Sequence, residues 1–306
     1  MQRALTGSKA VAIVTRLKPR DAPRKDRPLK SSVLLVECAD RPGLVHGVSG
    51  ALFRQGLNVV GNQEFVDRPS GRFYMRTEFD GAVDGAALLE DVRAALTVGA
   101  SVRLSQQQPR RVVVLASKEH HCLADILVRH TFQELNAQVV AVVANHEILA
   151  PLTRKFDVPF HFVSAADRTR EDHEAEMLAV VERYEPEFLV LAKYMRVLSP
   201  AFVRRFPARI VNIHHSFLPA FAGAKPYHQA FERGVKVIGA TAHFVTDELD
   251  AGQIIVQQVV PVDHTHTAQH LVSSGRDVEQ MVLAKALRLV FEDRVFLCGN
   301  RTVIFD

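Results

Sequence analysis

Asn212 and His214 stand two residues apart in I-V-N-I-H-H-S-F-L-P, residues 210–219. The stretch begins as a buried strand and ends polar. Successive side chains of a strand point to opposite faces, so an amide and an imidazole would share one face where the strand runs out. Further along, T-D-E-L-D-A-G, residues 246–252, sets Asp247, Glu248 and Asp250 ahead of Gly252 at a strand-to-strand connection. An amide N–H can donate to an oxygen that is gaining negative charge. A protonated imidazole can do the same and then hand its proton to a leaving amine. A nearby carboxylate favours the imidazolium and can orient or deprotonate a water. The set therefore suits attack on a carbonyl carbon by water or by an acceptor amine. No G-x-S-x-G motif is present and no reactive-cysteine context stands out, which speaks against a covalent intermediate. A strand-end Asn or His, taken singly, is more often structural, and loop carboxylates are usually solvated. The conjunction singles the group out, and the pattern alone does not choose among the three acids.

The elements that must hold these residues follow a repeating order. Val112–Ala116, Val139–Ala144, Phe160–Val163 and Phe188–Ala192 read as buried strands separated by helical segments, and the strand at Ile210 joins them. This βαβαβαβ order predicts a doubly wound, mostly parallel sheet, with ligands beyond the carboxyl ends of its strands. K-Y-M-R-V-L-S-P-A-F-V, residues 193–203, follows the Phe188 strand and offers an apolar wall beside it. Two strands, Val237–Val245 and Gln253–Val260, and a long helix, Ala268–Glu292, come after the Asn–His strand. Ahead of this α/β unit, residues 32–105 read β-α-β-β-α-β, the ferredoxin-like plan. In its strand R-F-Y-M-R-T-E-F, Phe73, Met75, Thr77 and Phe79 form one face and Arg72, Tyr74, Arg76 and Glu78 the other. The expected division is a basic leader at 1–31, a small domain at 32–105, a polar linker at 106–111 and a catalytic domain at 112–306.

Composition bounds the function. The chain is 47% hydrophobic and 24% charged, as in ordinary globular proteins. No apolar run reaches the roughly 20 residues of a membrane helix. The net charge of +4 owes its basic excess to the leader, so no nucleic-acid footprint is indicated. Cys38, Cys122 and Cys298 are scattered and lack CxxC spacing, which points to a reducing compartment without disulfides or structural zinc. A cytoplasmic location is expected, with organellar targeting by the Arg-rich leader as the alternative. His264 and His266 lie two apart with no third ligand nearby, so no metal is expected there. His228 opens a helix, where capping competes with a place at the pocket edge.

Two resemblances sharpen this reading. The turn D-R-P-G-L-V before the first helix resembles the effector loop of ACT domains, small ligand-sensing modules that usually pair edge to edge. That resemblance implies an amino-acid effector at Asp40, Gly43 and Leu44 and a homodimer or homotetramer. N-I-H-H-S-F-L-P, H-F-V-T-D-E-L-D-A-G and Y-M-R-V-L-S-P-A-F-V together resemble the folate-dependent formyltransferase family. By that likeness Asn212, His214 and Asp250 take the catalytic places, and Met195, Arg196, Leu198, Val203, Val245, Thr246 and Asp247 line a folate pocket. Nucleotide-using members carry a glycine-rich phosphate loop after the first strand. Here S-K-E-H-H-C-L-A-D, residues 117–125, has no glycine. With the ACT-like front, the chain is similar to the hydrolytic, deformylase branch, which releases formate from 10-formyltetrahydrofolate. The resemblance implies formate for purine synthesis, a balanced one-carbon pool, no cofactor and the folate itself as substrate. An amine-dependent transferase and a non-catalytic folate or amino-acid sensor are the alternatives.

Overall fold

A computed structural model describes residues 31–219 and 226–306, so the expected leader falls outside the described residues except for Ser31. The first unit comprises β1 (Ser32–Ala39), α1 (Leu44–Arg54), β2 (Asn58–Asp67), β3 (Arg72–Asp80), α2 (Gly85–Ala95) and β4 (Ser101–Ser105). Its antiparallel sheet has the order β2-β3-β1-β4. α1 buries Leu44, Val48, Ala51 and Leu52, a helical stripe that meets Leu34, Val36, Phe73, Met75 and Phe79 of the sheet. Asp84 caps α2 by accepting from the backbone N–H groups of Ala86 and Ala87.

The second unit is a seven-stranded sheet of order β11-β10-β9-β8-β5-β6-β7. Its strands are β5 (Arg110–Ala116), β6 (Ala137–Ala144), β7 (Phe160–Phe162), β8 (Phe188–Ala192), β9 (Ile210–His214), β10 (Val237–Phe244) and β11 (Ile254–Pro261). β5 opens at Arg110, two residues before the expected Val112, because Arg110 and Arg111 already pair with Ala137 and Gln138. β5, β6, β7, β8 and β9 are parallel in the sheet, while β10 and β11 are antiparallel additions at one edge. Both faces are covered. Val112 and Val114 point into one core, and Val113 and Leu115 into the other.

The helices are α3 (His121–Thr131), α4 (Ala150–Arg154), α5 (Arg170–Glu182), α6 (Pro200–Val203), α7 (Pro226–Glu232) and α8 (Ala268–Phe291). α3 ends at Thr131, and Leu135 packs in the core from the following turn. α8, at 24 residues, is about 36 Å long. Gly275 lets α7 approach it: a Cβ there would lie 2.1 Å from Tyr227 Cζ.

The face of β3 that carries Tyr74 and Arg76 is covered, with Arg72 and Glu78 half-buried at its ends. The closing hairpin, β12 (Val295–Cys298) and β13 (Arg301–Ile304), folds back onto the first sheet, where Phe296, Cys298 and Phe305 pack on Val33, Leu35 and Tyr74. Tyr74 is 1% exposed and Arg76 3%. Alternation predicts two faces, but it cannot reveal a cover that arrives from the far end of the chain. Arg76 donates from Nε to the Asp293 carbonyl at 3.1 Å and from an Nη to the Glu292 carbonyl at 3.0 Å, closing the C-terminal end of α8. Arg76→Ala is expected to lower stability by about 3 kcal/mol, because buried carbonyls lose their donor. A urea titration checks this.

Candidate active site

β9 ends at His214, and Asn212 and His214 both line a cavity of about 290 Å³ at the carboxyl ends of β8 and β9. The loop after β10 closes its other side. There Gly252 is required, since a Cβ would lie 1.7 Å from the Phe244 carbonyl oxygen. The loop therefore folds tightly back on β10, with Phe244 N–H donating to the Gln253 carbonyl at 2.9 Å. This fold-back, with Asp250 in the left-handed region at φ 55°, brings an Asp250 oxygen to 3.3 Å from His214 Nδ1. The hydrogen bond from His214 holds the Asp250 carboxyl below the usual carboxylate range, with burial opposing it. His214 Nε2 is buried and has no protein partner.

Of the three loop acids, Asp250 is the one in contact with the histidine. Asp247 turns outward to Arg204 at 2.8 Å, and it and Glu248 stand on the cavity wall. Met195, Arg196, Leu198, Val245 and Thr246 line the same cavity. Val203 does not. It lies in the core with Leu198, Phe202 and Phe206, because α6 turns its apolar side inward. In the first unit, Gly43 takes φ 88° at the N-terminus of α1, Asp40 N–H donates to the Gly71 carbonyl, and Leu44 is buried. His228 is exposed on α7, and His266 Nδ1 donates to the Asp263 carboxylate at 2.8 Å.

Several residues near the site were not predicted. His243 is the cross-strand neighbour of Asn212 in the β9–β10 pair. Its Nδ1 donates to its neighbour's carbonyl at Phe244, 2.7 Å away, which leaves Nε2 to accept from the Asn212 amide at 3.1 Å. Burial lowers its pKa first, so the ring is a neutral clamp on Asn212. The signal was present, since H-F-V-T-D includes this residue, but the pairing that gives it meaning is tertiary. His215 stacks on His214 with ring centroids 5.1 Å apart. Behind it, Glu279 of α8 is 1% exposed and accepts from His121 Nε2 at 2.7 Å, Lys193 Nζ at 3.1 Å and the Tyr227 hydroxyl at 2.6 Å. Burial opposes its ionisation, but these three donors outweigh that and bring its pKa down to about 2.

His121, Cys122 and Glu279 place metal-ligand atoms within 4.8 Å of one another. The Lys193 ammonium already pairs with that carboxylate, and burial raises the Cys122 thiol pKa, so neither group is set up as a metal ligand.

An ACT domain matches residues 32–97, and a formyl transferase domain matches residues 110–287. The fold and site thus define a formyl transferase-type α/β unit carrying a ligand-sensing module at its front. The formyltetrahydrofolate deformylase of Escherichia coli strain K12 is 50% identical over 276 residues, which is 90% of this chain and 99% of that protein. The crystal structure of a formyltetrahydrofolate deformylase from Pseudomonas syringae pv. tomato superposes with a TM-score of 0.87 at 40% identity, covering 92% of this chain and 96% of that one. One from Burkholderia mallei gives 0.85 at 42% identity, covering 90% and 100%. The chain belongs to the formyltetrahydrofolate deformylase family. Among the described residues, no helix is long and apolar enough to cross a membrane.

Burial, then the charges of Lys193 and His214, push the His215 pKa from 6.5 down to about 4. A depressed folded-state pKa contributes stability that is fully present above the unfolded value and is lost as pH falls through the folded one. Wild type should therefore lose stability between pH 6.5 and about 4 more steeply than His215→Gln. Urea midpoints across that window measure the difference.

Proposed function

We propose that this chain is a hydrolase that converts 10-formyltetrahydrofolate and water to tetrahydrofolate and formate. The observation that carries the reading is the meeting of Asn212, His214 and Asp250 in one cavity, within a chain related to deformylases along both of its units. Asp250 orients a water against the N10-formyl carbon. Asn212 and a protonated His214 donate to the oxygen as it becomes an oxyanion. The carbon–N10 bond then breaks, and N10 takes a proton from His214 or a water. Met195, Arg196, Leu198, Val245, Thr246 and Asp247 contact the folate, and Val203 supports that wall from below. The reaction as written consumes only water and the folate.

The division into a sensing unit at 32–105 and a catalytic unit at 112–306 belongs to the same reading. Asp40, Gly43 and Leu44 would receive an amino-acid effector at the free N–H groups of α1. Pairing through the first unit would give a homodimer or homotetramer. Three buried, unpaired cysteines favour a reducing, cytoplasmic setting.

Mixing the protein with 10-formyltetrahydrofolate and no acceptor should release one formate per folate consumed. Formate release that depends on an added amine would instead make the chain a transferase, and the absence of any turnover would make it a sensor. Asn212→Ala and Asp250→Ala should each fold normally and lose roughly 100-fold or more in kcat. Near-wild-type turnover in either would remove that residue from the mechanism.

A further inference from the structure

A second cavity, of about 540 Å³, opens beyond the carboxyl ends of β5, β6 and β8. The chain runs from β5 outward through β6 and β7, then returns to β8 on the other side of β5. The order of strands reverses between β5 and β8, the position at which doubly wound sheets hold ligands. Lys118, after β5, and Asn145, after β6, form its walls with Lys193, after β8, and Arg276 of α8. It meets the first cavity along Lys193, Met195, Arg196 and His215, which line both.

The cavity has donors and positive charge in excess. Lys118, Lys193, Arg196 and Arg276 face two carboxylates, Glu119 and Glu279. Both carboxylates are engaged: Glu119 accepts from Arg276 at 2.7 Å, and Glu279 accepts from His121, Lys193 and Tyr227. Lys193 is the critical group. It is 7% exposed, at the wall that the two cavities share. An ammonium has three donors, and among the described residues Glu279 is its ionic partner. On the same wall, His121 Nδ1 is buried without a hydrogen-bond partner. His121 also opens α3, whose first turn has no side-chain cap, so the helix adds its positive end.

We propose that this second cavity binds a small carboxylate anion, the formate released by hydrolysis, with Lys193 as its anchor. The inference rests on the hydrolytic reading above. When water adds its oxygen to the formyl carbon and the bond to N10 breaks, one of the water's protons goes to N10, the other passes by way of Asp250 to solvent, and formate remains as an anion. Folate in the first cavity blocks the way back. The anion crosses to Lys193 and leaves past Lys118 and Arg276, so formate and the folate product occupy the protein together.

The test uses the full chain, with formate as both inhibitor and probe. Formate should lower kcat without raising KM for 10-formyltetrahydrofolate. Carbon-13 formate should show line broadening with the protein alone, and more weakly than with wild type in two variants. Lys193→Met should weaken binding at least tenfold, while Glu279 keeps two donors and the thermal melt reports folding. Lys118→Ala, at the open mouth, should weaken it a few-fold. Inhibition that is purely competitive with the folate overturns the site, as does formate affinity unchanged in both variants. Tighter binding of inorganic phosphate, displacing formate, overturns the carboxylate assignment. Acceptor-free hydrolysis without formate binding sinks this site alone, whereas the absence of hydrolysis sinks the functional reading and with it the product assignment.

Discussion

The approach of Gly252 to the Phe244 carbonyl is the constraint on which the site depends. A side chain of any size at 252 would push the 245–253 loop away from β10. Asp250 would then leave His214, and the imidazole would lose that ionic neighbour. The same close packing strains Asp250 into φ 55°. Strain of this kind costs of order 1–3 kcal/mol and persists where the surroundings over-determine it. Here the surroundings are two strands in register and a neutral His243 that holds Asn212 in place from across the pair.

Much of this was legible along the chain. The period-two spacing of Asn212 and His214 put them on one face, and the βαβ order put that face at the carboxyl edge of a sheet. What stayed hidden depends on contacts between residues far apart in sequence. Asp247, Glu248 and Asp250 look alike in a loop until Arg204 draws Asp247 outward and His214 meets Asp250. His243 gains its role only when β10 pairs with β9. Glu279 reads as one more polar position on a long amphipathic helix, because nothing local announces three donors converging from α3, β8 and α7. Gly275 is equally silent until Tyr227 lies against it.

Charge around the site is arranged in opposition. Asp250 meets His214, whose ring stacks on His215, and the charge of Lys193 acts on His215. Burial, helped by the ammonium, favours the neutral form of His215. Two adjacent histidines thus have different electrostatic surroundings, His214 touching a carboxylate and His215 lying in the field of an ammonium.

The closing hairpin has an architectural consequence. β12 and β13 belong by sequence to the α/β unit, yet they plaster the outer face of the ACT sheet, and Arg76 of that sheet clamps the far end of α8. The front module is therefore not a bolt-on part. Transplanting it to another enzyme would strip Tyr74 and Leu35 of their cover, and excising it would bare Phe296 and Phe305. An engineer wishing to recombine such sensors must carry the last dozen residues of the chain along with the first sheet, as one cassette drawn from both ends of the gene.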